Sequence, residues 1–267
     1  MVCLGKETVL ITGASGGIGK EFALVFAKNG YDLVLVARNE KRLEFLRKKL
    51  ESDYNICVTV LVQDMTEDNA ALILSDKINK SGISVNILVN NAGFGDNNQF
   101  LDSNWEKQKH MVRLNILALI QMTYVFGGQM RKRGHGRILN MASAAAFTAG
   151  PGMSVYYASK AFVLSFSEAV SEELKGTGVT VTAVCPGPTS TGFEESAGMH
   201  GSRMFHAVKP QSAKHVAVDG FRACMSKRPA LYHGKITKIG SVGARLLPRS
   251  LMRKIAKEIN KVPGGNS

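Results

Sequence analysis

Tyr156 and Lys160 stand four residues apart in the run Ser154-Val155-Tyr156-Tyr157-Ala158-Ser159-Lys160. On a helix, side chains at i and i+4 share one face, so this spacing sets a phenol beside an ammonium group. A free phenol, with a pKa of about 10, holds its proton too tightly for acid–base work near neutrality. A neighbouring cation favours the phenolate and brings the group toward working range. Tyr157 has no lysine four residues on, which singles out Tyr156. A solvated surface pair would share this spacing, so the pair gains meaning from what the rest of the chain sets around it.

The run Thr12-Gly13-Ala14-Ser15-Gly16-Gly17-Ile18-Gly19 joins a strand-like stretch to a helix-like one. Gly13, Gly17 and Gly19 form G-x-x-x-G-x-G, a variant of the dinucleotide fingerprint. Missing side chains let the backbone turn tightly and approach a pyrophosphate, which then faces the free N–H groups of the helix N-terminus. The next strand ends Val36-Ala37-Arg38-Asn39, with no acid at its tip. Readers of NAD place a carboxylate there for the ribose 2′-hydroxyl. Arg38 is instead placed to pair with a 2′-phosphate, so the expected cofactor is NADP(H) rather than NAD(H). A merely solvated Arg38 is the alternative.

The elements that must position these residues alternate along the first 190 positions. Strand-like runs are Thr8–Thr12, Asp32–Ala37, Cys57–Val62, Val85–Asn90, Gly136–Ala142 and Val179–Cys185. Between them lie helix-like stretches at Gly19–Asn29, Asn39–Ser52, Ala70–Lys80, Trp105–Met130 and Tyr156–Lys175. The strands are apolar without polar alternation, as in sheets covered on both faces. Repeated βα units with short links predict an α/β domain with a doubly wound parallel sheet. We expect one domain over residues 1–240, an irregular or helical lid at about 188–209, and a basic C-terminal extension over 241–267 that is not an independent domain.

A chain of 267 residues, 45% hydrophobic and 21% charged, suits a soluble globular protein. No uninterrupted apolar run reaches the 18 or so residues of a membrane span, and Met1 to Lys6 lacks the pattern of a signal peptide. The expected location is the cytoplasm, with Cys3, Cys57, Cys185 and Cys224, widely spaced, as free thiols. The six histidines show no metal-ligand spacing, and no metal is expected. The net charge of +13 is uneven: residues 201–267 carry 14 Lys/Arg against two Asp/Glu. Such a segment can attract anionic partners or simply face solvent.

In order and spacing the residues resemble the short-chain dehydrogenase/reductase family over about residues 8–191. The resemblance rests on the glycine turn, Asn90-Asn91-Ala92-Gly93 after the fourth strand, Asn115, Ser143 thirteen residues before Tyr156, the Tyr156/Lys160 pair, and Pro186-Gly187-Pro188-Thr189-Ser190-Thr191. Cys185 to Thr189 and the basic tail look like a broad bacterial-type subgroup of ketone reductases, with some hydroxysteroid dehydrogenases similar. The resemblance implies a Rossmann-type fold, a homodimer or homotetramer, and interconversion of a ketone and a secondary alcohol. It implies that Tyr156 exchanges the proton, Lys160 lowers its pKa and bonds the nicotinamide ribose, Ser143 stabilises charge on the substrate oxygen, and Asn115 helps hold a water linking Lys160 to solvent. Gly13, Ser15, Gly16, Gly17, Ile18 and Gly19 would meet the pyrophosphate side. Arg38, Asn39, Asp64, Met65, Asn91, Ala92 and Gly93 would line the adenosine side, with Asp64 accepting from the adenine amino group. Pro186, Gly187, Thr189 and Thr191 would close over the nicotinamide.

The substrate pocket is expected from Phe94-Gly95, Ala144–Met153 and Thr191–Phe205. Phe147, Met153, Phe193, Met199, Met204 and Phe205 in these stretches suit a small hydrophobic carbonyl or alcohol, of hydroxysteroid or 3-ketoacyl type among the alternatives. The same side chains could be core. Residues 249–261 read as an amphipathic basic helix, able to pack on its own domain or to make weak peripheral contact with a membrane. A nucleotide-sensing protein without catalysis would share the fold, but Asn115, Ser143, Tyr156 and Lys160 are all in place. No signature of specific nucleic-acid binding accompanies the charge.

Overall fold

The structure, a computed structural model, describes residues 5–199 and 210–261. Seven strands form one sheet in the order β3-β2-β1-β4-β5-β6-β9. They are β1 Thr8–Thr12, β2 Asp32–Ala37, β3 Val58–Val62, β4 Val85–Asn90, β5 Gly136–Met141, β6 Val179–Pro186 and β9 Ala230–His233. Every neighbouring pair is parallel. A short parallel pair, β7 Thr189–Ser190 and β8 Gln211–Ser212, lies apart from the sheet.

The apolar strands are buried because successive side chains feed opposite faces. Val9 and Ile11 of β1, with Leu33 and Leu35 of β2, join Phe22 and Phe26 of α1 (Gly17–Lys28), Leu43 of α2 (Glu40–Asp53) and Val216 of the helix Ala213–Met225. Leu10, Val34 and Val36 face the other way, onto Leu74 of α3 (Ala70–Lys80) and Met122 and Phe126 of α5 (Leu119–Arg133). Each fully buried Phe or Leu contributes roughly 1.5–3 kcal/mol. A one-residue slip would exchange the two faces, so this double burial fixes the register.

The chain reverses its winding between β1 and β4, the edge at which doubly wound sheets bind ligands. All six strand-like runs form as the sequence predicts, to within a residue at their ends; β9 and the helices Ala213–Met225 and Lys235–Leu246 were not foreseen. The expected helix Trp105–Met130 runs on to Arg133 and is interrupted by a π turn, Arg113–Ala118, between α4 (Trp105–Val112) and α5. By length and composition Trp105–Arg133 could cross a membrane, but it packs Met111, Ala118, Met122, Phe126 and Met130 into the domain.

The expectation of free thiols fails at Cys57. Cys185 and Cys224 are free and buried, whereas Cys57 is disulfide-bonded, with its partner outside the described residues. Spacing along the chain does not reveal which thiols the fold brings together, and Cys57 lies just before β3, the edge strand of the sheet.

Candidate active site

The glycine turn has the shape its composition suggests. Gly13 adopts φ +66°, which a side chain would strain. Gly19 is set by proximity: a Cβ there would lie 2.3 Å from the Gly13 carbonyl oxygen. By contrast, a Cβ on Gly16 would meet nothing within 4 Å. Gly16 caps α1 without a side-chain hydrogen bond, so the first N–H groups of the helix point out of a turn no side chain fills. Ser15 and Ile18 are half-buried at its flanks, and Thr191 approaches Gly17 from above. This cradle fits a pyrophosphate.

Neighbouring loops are locked to the turn. Asn91 donates through Nδ2 to the carbonyls of Thr12 (3.0 Å) and Gly13 (3.2 Å). The Asn91 and Ala92 N–H groups both donate to Thr12 Oγ1 at 3.1 Å. Arg38 lies beyond the end of β2, its side chain 79% exposed and 3.8 Å from Asp64. Asp64 accepts from the backbone N–H and the hydroxyl of Thr66 at 2.9 and 2.8 Å. Burial pushes its pKa up, but these bonds and Arg38 outweigh that and leave it below the ordinary carboxylate value. Asn39 caps α2 by accepting from the Arg42 N–H. The side chain of Met65 is buried in the core, so only its backbone is available to a ligand.

The four candidate catalytic residues converge from three elements. Tyr156 and Lys160 lie on α6 (Ser154–Glu173) and Ser143 follows β5. Asn115 lies in the π turn and is 1% exposed. The widened turn aims its amide inward, where it accepts from Phe94 N–H (3.1 Å) and donates to Phe94 O (2.9 Å) and Ser159 Oγ (3.0 Å). Periodicity in the sequence cannot distinguish such a turn from regular helix. Lys160, 6% exposed, donates to Met141 O at 2.8 Å. Its Nζ sits 5.8 Å from the centre of the Tyr156 ring, over the face rather than at the hydroxyl.

The Tyr156 ring is half-buried. Burial pushes its phenol up to about 12, and a hydrogen bond with the Ser143 side chain pulls the other way. Lys160 is pushed down to about 8 by burial, with Cys185 opposing. Burial, not the charge of Lys160, sets the direction of the Tyr156 shift, which runs opposite to the expected lowering; the ammonium is itself desolvated and bonded to Met141 O.

Phe193 stacks obliquely on Tyr156 at 5.2 Å, and Gly95 leaves room for Phe193, Met153 and Tyr156 to crowd together. Phe147 instead packs on Tyr232, behind Ser143. Thr189 donates to Gly187 O at 2.8 Å, and Thr191 accepts from Phe193 N–H at 3.1 Å, so Pro186–Thr191 forms a rigid rim. Met204 and Phe205 lie outside the described residues. Sequence reasoning missed Thr12, Ser159 and Asn260 as supports. Asn260 accepts from Tyr157 OH at 3.0 Å and donates to Pro151 O at 3.0 Å. Ser159 could have been found beside Lys160; Asn260 gave no local signal. Among the described residues no group of three or more His, Cys, Asp or Glu could hold a metal ion.

A glycine cradle at the switch point of a parallel sheet, with a tyrosine–lysine pair across the crevice, defines a Rossmann-type nucleotide-dependent oxidoreductase. Residues 7–201 match the short chain dehydrogenases as a family, and the chain belongs to that family. It is 30% identical to 17-beta-hydroxysteroid dehydrogenase type 3 of Mus musculus, over 82% of this chain and 71% of that protein. It is 35% identical to a very-long-chain 3-oxoacyl-CoA reductase of Phaeosphaeria nodorum, over 66% of this chain but only 52% of that one. Among solved structures, a short-chain dehydrogenase from Sphingobium yanoikuyae in complex with NADPH superposes with a TM-score of 0.79, at 29% identity and 98% coverage of both chains.

Proposed function

We propose that this chain is an NADP(H)-dependent oxidoreductase that interconverts a ketone and a secondary alcohol on a hydrophobic substrate. The observation that carries the reading is the Tyr156 side chain, with Lys160 Nζ over its ring at 5.8 Å and an apolar wall of Met153 and Phe193 packed against it, across the crevice from the glycine turn. The similarity to hydroxysteroid and 3-oxoacyl-CoA enzymes supports a bulky apolar substrate of one of those two types.

The turn Gly13–Gly19 would hold the pyrophosphate of the dinucleotide, and Arg38 its 2′-phosphate, since β2 ends without an acid and Arg38 is exposed and only loosely paired with Asp64. When bound, the dinucleotide supplies the hydride. Tyr156 Oη gives its proton to the carbonyl oxygen during reduction and takes it back during oxidation. Ser143 Oγ holds that oxygen and meets the charge that develops on it. Lys160 supplies a cation beneath the phenol, and Asn115 fixes the Phe94 backbone and Ser159 at the start of the route by which the proton is replaced. Met153 and Phe193 exclude water from the reacting oxygen. We propose a homodimer or homotetramer as the working form, which light scattering on a sizing column tests.

The test of this reading is NADPH consumption against steroid ketones, 3-ketoacyl thioesters and small ketones. Turnover with at least one bulky apolar ketone, and preference for NADPH over NADH, are expected. Consumption of neither cofactor with any ketone would overturn it.

A further inference from the structure

The C-terminal helices break the rule that a surface helix turns its apolar side inward. In Lys235–Leu246 the buried residues are polar, Thr237 at 2% exposure and Ser241. Ile236, Ile239, Val242 and Leu246 point the opposite way, with Ile239 71% and Leu246 78% exposed. The final helix, Arg249–Asn260, buries Ala256 and Asn260 beside Met153 and Tyr157. Its stripe Leu251, Ile255 and Ile259 stays 37–44% exposed. Basic residues rim these apolar faces: residues 235–261 contain eight Lys/Arg and one acid, Glu258. A cleft of about 260 Å³ opens beside them, between Phe147–Ala149 and the side chains of Arg249, Met252 and Arg253. Among the described residues neither arginine pairs with a carboxylate.

We propose that this face docks on an anionic lipid bilayer, its Ile, Val and Leu side chains entering the acyl boundary and its lysines and arginines meeting headgroup phosphates. The charge selects this occupant. A second copy seated on the same face in a two-fold dimer would set one basic surface against another. A nucleic acid would leave the aliphatic side chains without a partner, since the face offers no aromatic platform for bases. An anionic bilayer satisfies both features. Because Asn260 is bonded to Tyr157 and Pro151, the docked helix is fastened to the wall of the Tyr156 site, and the bilayer would lie beside that site.

The test is co-sedimentation of the full chain with vesicles of phosphatidylcholine, alone or with roughly a third phosphatidylglycerol, at low and high salt. Binding to the anionic vesicles is expected, weakened by salt. Ile239→Ser with Leu246→Ser, and separately Arg253→Glu with Lys257→Glu, should each reduce it roughly tenfold or more. These positions are exposed, and unchanged thermal melts would show that both variants fold. Failure of the wild-type chain to sediment at low salt would overturn the proposal, as would binding indifferent to both variants. So would an oligomer that the apolar variant converts to monomer while vesicles bind neither form.

Discussion

At the scale of single residues, the site works through opposed shifts with one cause. Burial raises Tyr156 to about 12 and lowers Lys160 to about 8. Alcohol oxidation needs the Tyr156 phenolate and the Lys160 cation together. Below about pH 8 the cation is complete and the phenolate fraction grows about tenfold per unit, so oxidation should climb with pH and level off near 8. Reduction needs the protonated phenol beside the cation, so it should stay flat to about pH 8 and fall beyond it. Initial-rate profiles in both directions test this; an oxidation rate flat from about pH 6 to 8 would contradict it. Arg38 carries a separate claim. It is exposed and only loosely paired with Asp64, so Arg38→Asp should lose NADPH affinity by roughly tenfold or more while leaving NADH binding intact or improved. An unchanged NADPH/NADH ratio would place the phosphate contact elsewhere.

At the scale of elements, the links between them make claims of their own. A Cβ at Gly19 would meet the Gly13 carbonyl oxygen, whereas Gly16 has open space. Gly19→Ala should therefore lower stability by about 1–3 kcal/mol and abolish cofactor binding. Gly16→Ala should melt near the wild-type temperature while still crowding a bound pyrophosphate. Melting curves paired with NADPH titrations would separate the two. The C-terminal helix makes a different claim. Asn260 bridges Tyr157 and Pro151, so Asn260→Ala should cost about 1–3 kcal/mol and raise KM more than it lowers kcat, because the wall loosens while Tyr156 stays in place. Equal losses in both constants would contradict that division.

For the whole molecule, local patterns were legible and distant pairings were not. The glycine turn, the six strands from β1 to β6 and the Tyr156/Lys160 spacing can be read from the chain because each is a short-range rule of period or geometry. The π turn at Asn115 could not, since one extra residue per turn leaves hydrophobic spacing almost unchanged. The disulfide at Cys57, the bond from Asn260 to Tyr157 and the reversal of Lys235–Leu246 depend on segments far apart in sequence. The direction of the Tyr156 shift was also hidden: charge is visible in a sequence, whereas desolvation exists only once the chain has folded. The central claim spans all of these levels, that the sheet delivers one half-buried phenol to a carbonyl oxygen beside a dinucleotide. Its most direct test compares wild type and Tyr156→Phe for NADPH binding by fluorescence and for ketone reduction in the same preparation. The account predicts nearly equal NADPH affinity and a loss of turnover of roughly 10²–10⁴. Turnover by Tyr156→Phe at the wild-type rate would contradict it.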